Sequence, residues 1–161
     1  MKLFVKFFQV LFVTLFCVAQ SHGQSKTTIG FIYMASSGCG PCDIWRATEL
    51  PKLKELDVFK QVQFFYLNKA IQSSVPPKMF LPDDLKPLKA VLDEASGGQR
   101  GAPQTVLLVD GKVFDYRHGS YSADELQVVI KAVLAGDASP FQRCVRRQNG
   151  HCVELIEAGV K

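Results

Sequence analysis

The sequence predicts an α/β domain with a mixed sheet flanked by helices. Three observations lead to this fold class: the segments alternate in the order β-α-β-α-β-β-α, an Asp-Gly pair joins two apolar strands, and a cysteine pair lies between the first strand and the first helix. Strands separated by helical crossovers are expected to be parallel, and strands joined by a two-residue turn are antiparallel. We therefore expect parallel pairing early in the chain and an antiparallel hairpin late in it.

The composition is that of an ordinary globular domain. With 161 residues, 47% of them hydrophobic and 21% charged, the chain is long enough for one domain with a substantial core. The net charge of +4 is modest, and basic residues cluster only at Arg143, Arg146 and Arg147. Nucleic-acid binding is therefore not indicated, and no nucleic-acid partner is expected.

Residues 1–23 have the pattern of a secretory signal peptide. Two lysines precede an apolar run over residues 7–19, and small or polar residues follow. Cleavage is expected after Ala19 or after Gly23. The alternative is an uncleaved anchor, because the stretch Leu3–Ala19 is only slightly shorter than the ~20 residues of a spanning helix. We expect a bacterial protein that is periplasmic or otherwise extracytoplasmic, and tethered to the inner membrane if the leader is retained.

The first strand is predicted over Thr27–Ala35, where β-branched and aromatic residues follow one another with little alternation. This pattern is typical of a strand covered on both faces. A helix is predicted from Pro41 to about Asp57, with a kink or break just before Pro51 because proline removes one backbone hydrogen bond. The apolar side of this helix is predicted to comprise Ile44, Leu50, Leu53 and Leu56. The second strand is predicted over Val62–Asn68.

The connection over residues 69–82 is rich in Ser and Pro and is predicted to be a loop. Within it, Met79, Phe80 and Leu81 are interpreted as packed against the core, the alternative being an exposed apolar lip beside the cysteine pair. A helix is predicted over Asp83–Ala95, ended by a Ser-Gly-Gly segment. Its apolar side is predicted to comprise Leu85, Leu88 and Leu92.

The next two strands, Thr105–Val109 and Lys112–Tyr116, flank an Asp-Gly pair, which is a strong signal for a tight hairpin. The last helix is predicted to begin at a capping box formed by Ser122 and Glu125 and to end at Gly136. Its apolar stripe is predicted to comprise Leu126, Val129, Ile130, Val133 and Leu134.

The segment Cys39-Gly40-Pro41-Cys42 carries the predicted chemistry. Two cysteines separated by two residues can close a small disulfide ring, and proline is tolerated in a first helical turn. Cys39 at the helix N-terminus would face unpaired N–H groups and the positive end of the helix dipole, which favours the thiolate. Cys39 is therefore the predicted nucleophile, and Cys42, one turn further in, is predicted to resolve the mixed disulfide.

A structural disulfide and half of a zinc site are the alternatives for this cysteine pair. A zinc site needs a second ligand pair, and the remaining candidates, Cys144, His151 and Cys152, lie about a hundred residues away. No metal and no cofactor is therefore expected.

With Cys-Gly-Pro-Cys at the start of a helix and Arg-Gly-Ala-Pro ahead of the hairpin, the chain over Thr27–Gly136 resembles the thioredoxin superfamily. The resemblance implies a thioredoxin-like domain over 24–136 that acts as a protein-disulfide oxidoreductase. It also implies a cis peptide bond at Pro103, facing the cysteine pair, and an Ala102 backbone that pairs with an extended substrate strand. The expected partners are cysteine-containing protein substrates and, for an exported enzyme, a membrane electron donor or acceptor.

Several positions depart from the family pattern. Gly38 stands where thioredoxins carry an aromatic residue, and Tyr33 stands where they hold a buried acid that helps to move the proton of the second thiol. Tyr33 and Trp45 are interpreted as core residues, with a substrate-groove position as the alternative for Trp45. The segment around Pro103 also resembles periplasmic disulfide isomerases of the Dsb type. Those proteins add a dimerisation domain for which this chain has no room, so a monomer is expected.

Residues 137–161 lie outside the family pattern and are predicted to form a C-terminal extension. Cys144 and Cys152 flank an Asn-Gly turn signal, which indicates a small disulfide-closed loop or hairpin. Closing this loop would contribute roughly 2 to 3 kcal/mol. The alternatives are a second redox pair that relays electrons to Cys39 and Cys42, and a basic loop that docks a partner.

The expected function is that of an exported thiol-disulfide oxidoreductase that reduces or exchanges disulfides in extracytoplasmic proteins. The Gly-Pro dipeptide between the cysteines is the one thioredoxins use and favours the reducing direction. The alternatives are a client-specific folding or assembly factor of a secretion or conjugation apparatus, and an interaction module whose cysteines form only a static bridge.

Overall fold

The computed structural model describes residues 27–159, so the predicted signal peptide lies outside the described residues. Three short 3-10 turns cover Phe59–Gln61, Lys78–Phe80 and Asp83–Leu88. None of the helices in this part of the chain is long and apolar enough to cross a membrane. The strands and helices are β1 (Ile29–Ala35), α1 (Gly40–Glu55), β2 (Val62–Asn68), α2 (Lys89–Ser96), β3 (Gln104–Val109), β4 (Lys112–His118), α3 (Ala123–Ala135), β5 (Arg143–Gln148) and β6 (His151–Ile156).

The first four strands form one mixed sheet in the order β2-β1-β3-β4. β1 pairs with β2 in parallel, and β3 pairs with both β1 and β4 in the antiparallel direction. Helices flank this sheet, so the predicted fold class, a thioredoxin-like α/β domain with a mixed sheet, is confirmed. β5 and β6 form a separate antiparallel hairpin.

The direction of β3 corrects the expectation that the early crossovers are all parallel. The Gln63 amide, near the start of β2, donates a hydrogen bond of 2.8 Å to Asp84, so the loop after β2 has returned along the sheet by that point. α2 then brings the chain back, and the Gly101 N–H donates to the Ile71 carbonyl, close to the end of β2, at 2.9 Å. Because the connection traverses the sheet twice, β3 begins at the edge where β2 ends and runs in the opposite direction.

β1 is covered on both faces, as its unbroken apolar pattern predicts. Phe31 and Tyr33 are buried in one cluster with residues of α1 and α3. Ile32 and Met34, which alternate with them, are buried in a second cluster on the other face of the sheet. The strand therefore lies at the centre of the domain.

α1 runs without a break from Gly40 to Glu55, although Pro51 lies within it, so the predicted break is wrong while a kink there stays a prediction. Proline at this position removes the hydrogen bond to the carbonyl of Ala47, and Ala47 is an exposed residue. Ile44 is 65% exposed rather than buried, because the buried stripe passes through Cys42, Trp45 and Leu53.

The loop after β2 also differs from its prediction. Met79 and Phe80 are 77% and 70% exposed, so the prediction that they pack against the core is wrong. Both lie in a 3-10 turn that leaves only Leu81 within the second core cluster. The helix predicted over Asp83–Ala95 divides into a 3-10 turn containing Pro87, followed by α2.

The β3-β4 hairpin and α3 form as predicted. Asp110 and Gly111 both have positive φ, +50° and +74°, as a type I′ turn requires. The Ser122 hydroxyl accepts a hydrogen bond from the Glu125 N–H and the Glu125 carboxylate accepts one from the Ser122 N–H, which completes the capping box. Leu134 is the exception in the predicted stripe, because it is 37% exposed.

The C-terminal hairpin is closed by a Cys144–Cys152 disulfide and lies against the end of α2. The backbone carbonyl of Arg147, in the hairpin, lies so close to Gly97 that a Cβ atom at residue 97 would be 1.8 Å from the carbonyl oxygen. The neighbouring Gly98 also has positive φ, but a Cβ there would meet nothing within 4 Å. Only Gly97 therefore combines the left-handed backbone with a close approach of the hairpin.

Replacing Gly97 with Ala should destabilise the protein more than replacing Gly98 with Ala. Each substitution places a side chain in the left-handed region, at about 1 to 2 kcal/mol, and Gly97→Ala adds a clash with the hairpin backbone at about 1 to 3 kcal/mol. Urea denaturation of both variants measures the difference. Equal losses in the free energy of unfolding would contradict the close packing of the hairpin on α2.

Candidate active site

Cys39 and Cys42 form a disulfide at the N-terminus of α1. Cys39 is the N-cap residue, with an extended backbone, and its Sγ accepts a hydrogen bond from the Cys42 N–H at 3.2 Å. The Cys39 carbonyl accepts hydrogen bonds from the N–H groups of Cys42 and Asp43, so the first turn is closed around it. Helix N-terminal N–H groups and the helix dipole therefore act on the Cys39 sulfur, and both favour a thiolate there.

The outer side of the cysteine turn is open. Gly38, Gly40 and Pro41 are exposed, and a Cβ atom at either glycine would meet nothing within 4 Å. Cys39 is 7% exposed and Cys42 is 1% exposed. A substrate can therefore approach the turn from solvent, and Cys39 is the more accessible residue of the pair.

Aromatic rings support the turn from beneath. Tyr33 is fully buried and stacks on Trp45, with ring centroids 3.9 Å apart. Trp45 is itself buried and donates from Nε1 to the Tyr121 carbonyl at 2.7 Å. The interpretation of Tyr33 and Trp45 as core residues therefore agrees with their burial. Because Cys42 and Trp45 lie one turn apart on the same face of α1, this packing holds the buried end of the cysteine pair.

Tyr33 differs chemically from a carboxylic acid at this position. Its hydroxyl lies 3.3 Å from the Ser120 hydroxyl and shares a hydrogen bond with it. Burial raises the pKa of Tyr33, and the Ser120 hydrogen bond partly offsets this increase. The phenol therefore stays protonated in the folded protein and cannot take up a proton as a carboxylate does.

The second part of the site is the loop that precedes β3. The Ala102–Pro103 peptide bond is cis. Gln104, the next residue, pairs with Met34 near the end of β1, so the loop lies at the sheet edge where β1 leads into the cysteine turn. Ala102 packs against the core cluster that contains both cysteines. The fold thus brings together two segments that are about sixty residues apart in sequence.

Arg46 pairs with Asp43 rather than with the cysteine sulfurs. It forms an ion pair of 2.9 Å with Asp43, and its side chain is 57% exposed.

Within residues 27–159, no cluster of His, Cys, Asp and Glu side chains has the arrangement of a metal site.

Sequence reasoning missed Asp115, a carboxylate that is 1% exposed in β4. It accepts hydrogen bonds from Arg117 Nε at 2.8 Å, from the Cys144 N–H at 2.7 Å and from the Tyr121 hydroxyl. Since Tyr121 also receives the Trp45 indole N–H, contacts continue from the C-terminal hairpin to α1. An acidic residue between the apolar residues of a predicted strand was the available signal, because a charge at an inward position requires partners.

Sequence reasoning also missed Ser36 and Lys69. Ser36 lies just before the cysteine turn, and its buried hydroxyl has no hydrogen-bond partner within the described part of the chain. Lys69 follows β2 and is 7% exposed, which is unusual for lysine. No local sequence signal distinguishes either residue, since their burial depends on how the loops pack.

No family model and no curated protein matches the chain. Similar solved structures include thioredoxin-2, a component of the malaria parasite protein secretion machinery, at 17% identity over 65% of this chain and 82% of that one, with a TM-score of 0.42. A malarial protein matches at 17% identity over 65% of this chain and 94% of that one, with a TM-score of 0.42. A complex of ferredoxin:thioredoxin reductase with thioredoxin f2 matches at 24% identity, 66% and 77% coverage and a TM-score of 0.37.

Glu49 joins the helix that carries the cysteines to the start of α3. Its carboxylate accepts a hydrogen bond from the Ala123 N–H at 2.8 Å and one from Lys52 at 2.9 Å. The hydrogen bond from Ala123, followed by that from Lys52, lowers the pKa of Glu49. The carboxylate thus stabilises the fold above the ordinary pKa of glutamate, and this contribution is lost as the pH falls through the folded-state pKa.

Replacing Glu49 with Gln should lower the free energy of unfolding by about 1 kcal/mol at neutral pH, because a carboxylate is removed from the N-terminus of α3. The difference between wild type and variant should shrink as the pH falls below the ordinary pKa of glutamate. Urea denaturation across this pH range measures it. Glu55→Gln, which alters an exposed carboxylate of the same helix, is the matched control. A loss that persists unchanged in acid would contradict the role of the Glu49 charge.

Proposed function

We propose that this protein is an exported thiol-disulfide oxidoreductase that reduces or exchanges disulfides in extracytoplasmic proteins. The observation that carries the proposal is the Cys39–Cys42 disulfide at the N-terminus of α1, on an exposed turn. A purely structural bridge has no need of an open outer face or of a helix N-terminus beneath its first sulfur. The Ala102–Pro103 loop, which lies at the same edge of the sheet and packs against the cluster that contains both cysteines, is a second observation in favour.

The proposed reaction proceeds by two thiol-disulfide exchanges. The Cys39 thiolate attacks a substrate disulfide, forms an S–S bond with one substrate sulfur and releases the other as a thiolate. The Cys42 thiolate then attacks Sγ of Cys39, closes the Cys39–Cys42 disulfide and releases the second substrate thiolate. The substrate disulfide gains two electrons and the cysteine pair loses two. The reverse sequence oxidises a substrate dithiol.

The electrons for sustained reduction come from a separate dithiol donor. In an extracytoplasmic compartment this donor is proposed to be a membrane protein, because the compartment itself is oxidising. Export is supported by the signal pattern over residues 1–23 and by the four cysteines beyond it, which pair into two disulfides. The protein is proposed to act as a monomer, with a thioredoxin-like domain over 24–136 and an extension over 137–161.

The second disulfide is proposed to be structural. Cys144 is 7% exposed, and its N–H is held by the buried Asp115 carboxylate. The bridge joins the two strands of a hairpin that packs on α2. Cross-linking β5 to β6 therefore stabilises a two-stranded element outside the main sheet.

Cys39→Ser and Cys42→Ser should each abolish turnover of insulin disulfides with dithiothreitol as the electron donor, with a loss of at least about 100-fold. Cys42→Ser should also accumulate mixed disulfides between Cys39 and substrate proteins, because the resolving thiol is absent. Non-reducing electrophoresis detects these adducts. The matched control is the double variant Cys144→Ser/Cys152→Ser, which should retain turnover. Undiminished turnover by Cys39→Ser would exclude the proposed enzyme.

The Cys39–Cys42 pair should equilibrate on the reducing side of the glutathione couple, as expected from the Gly-Pro dipeptide between the cysteines. Incubation in glutathione buffers of graded composition, followed by alkylation of free thiols, measures the equilibrium. A pair that stays reduced in the most oxidising buffers would instead identify an oxidant of substrate dithiols.

A further inference from the structure

Lys69 connects the two parts of the site. Its backbone N–H donates to the Ala35 carbonyl at 2.9 Å, at the point where β1 ends and the cysteine turn follows. Its Nζ donates to the carbonyls of Ser73 and Gly101, each at 2.6 Å. One residue thus joins the end of β1 to the loop that contains the cis bond.

Stability alone is a poor explanation for a lysine at this position. The residue is 7% exposed, and burial lowers the pKa of the ammonium. Within residues 27–159, Nζ forms no ion pair with a carboxylate, so carbonyl dipoles replace the water that it loses. A buried ammonium without a counter-ion is costly, and an unbranched apolar side chain fits a similar space without that cost. The contact with Gly101 therefore calls for another explanation.

The Gly101 carbonyl belongs to the same planar peptide unit as the Ala102 N–H. Fixing the position of that oxygen therefore fixes the direction of the N–H. Gln104 Nε2 donates to the same oxygen at 2.9 Å, and the Gly101 N–H donates to the Ile71 carbonyl at 2.9 Å. Neither the N–H nor the C=O of Ala102 has a hydrogen-bond partner among the described residues. A firmly held peptide unit thus presents a free donor beside the cysteine turn.

The backbone of this loop is constrained on both sides of Ala102. Gly101 has φ of +93°, and a Cβ atom there would lie 2.8 Å from Nε2 of His118. The Pro103 carbonyl on the other side accepts the Gly119 N–H at 2.9 Å. Lys69 and Gln104 both hold the Gly101 carbonyl with their side chains, and their backbones pair with the end of β1 at Ala35 and Met34. Of the two, Lys69 makes the shorter contact, so we take its ammonium as the main group that fixes the free Ala102 backbone relative to the segment leading to Cys39.

We propose that Lys69 is a positioning residue for polypeptide substrates: its ammonium holds the Gly101–Ala102 peptide unit in the place where an extended substrate strand hydrogen-bonds to Ala102 while its disulfide meets Cys39. Main-chain pairing of this kind recognises an extended peptide irrespective of its side chains. The inference rests on the proposed function. It adds that Lys69 acts on substrates with a peptide backbone and not on the sulfur chemistry itself.

This role separates two classes of substrate. A disulfide within a polypeptide uses both the sulfurs and the Ala102 backbone. A small disulfide without peptide groups, such as hydroxyethyl disulfide, uses the sulfurs alone. Misplacement of a positioning group by about 1 Å lowers a rate by up to about 100-fold. Loss of the Lys69 contact should therefore lower the rate for polypeptides relative to the rate for the small disulfide.

The test compares Lys69→Met with wild type on insulin and on hydroxyethyl disulfide, both with dithiothreitol as the donor. Methionine keeps the unbranched shape and removes the donor, and Gln104 still satisfies the Gly101 carbonyl. We expect the ratio of insulin reduction to hydroxyethyl disulfide reduction to fall about 10- to 100-fold. Lys54→Met, at an exposed lysine of α1, should leave this ratio unchanged. Lys69→Gln, which supplies a shorter neutral donor, repeats the test if the Met variant does not fold.

The outcomes separate the inference from the function on which it rests. If wild type reduces neither disulfide, the proposed function fails and the inference fails with it. If wild type reduces both and the Lys69 variants lose both rates equally, or neither, the positioning role is wrong while the oxidoreductase remains. A selective loss for insulin supports the role, because a general loss of stability or of sulfur reactivity lowers both rates together.

Discussion

Burial of β1 on both faces is the constraint on which the rest of the structure depends. Phe31 and Tyr33 pack beneath α1 and α3, while Ile32 and Met34 pack on the opposite face. Because neither face of this strand meets water, the chain reaches solvent only where the strand ends, and the cysteine turn forms at that point. Parallel pairing with β2 and antiparallel pairing with β3 then place two further loops at the same edge. The site is thus a consequence of where a fully covered strand emerges.

Polar contacts connect this edge to the rest of the molecule. The buried Asp115 carboxylate holds Tyr121 and the backbone of Cys144, and Tyr121 in turn accepts the indole N–H of Trp45 beneath the cysteines. On the other side, Lys69 joins the end of β1 to the loop before β3. Both are charged groups held within the domain by several hydrogen bonds, as burial of a charge demands. These two residues link elements that are distant in sequence. Hydrogen bonds to a charged group fix the relative orientation of such elements more precisely than apolar packing alone.

The elements predicted correctly are those whose signals are local. The Asp110-Gly111 turn and the capping box at Ser122 depend on residues within four positions of one another, and both form as predicted. The wrong predictions concern residues whose environment is set by distant segments. Ile44 and Phe80 are exposed because no element within residues 27–159 covers them, and periodicity and composition within a short window do not reveal this. The direction of β3 likewise depends on the path of the whole connection after β2.

The sequence by itself determined that two cysteines lie at one end of a helix, and it supplied the turn and cap residues that place the strands and helices. Only the tertiary structure decided which groups surround the cysteine pair. The loop with the cis bond meets the cysteine turn because β3 begins where β1 ends, and the burial of Lys69 and Asp115 follows from that packing. The physical reason is that covalent spacing governs a turn or a cap, whereas burial and long-range hydrogen bonds depend on the arrangement of the whole chain.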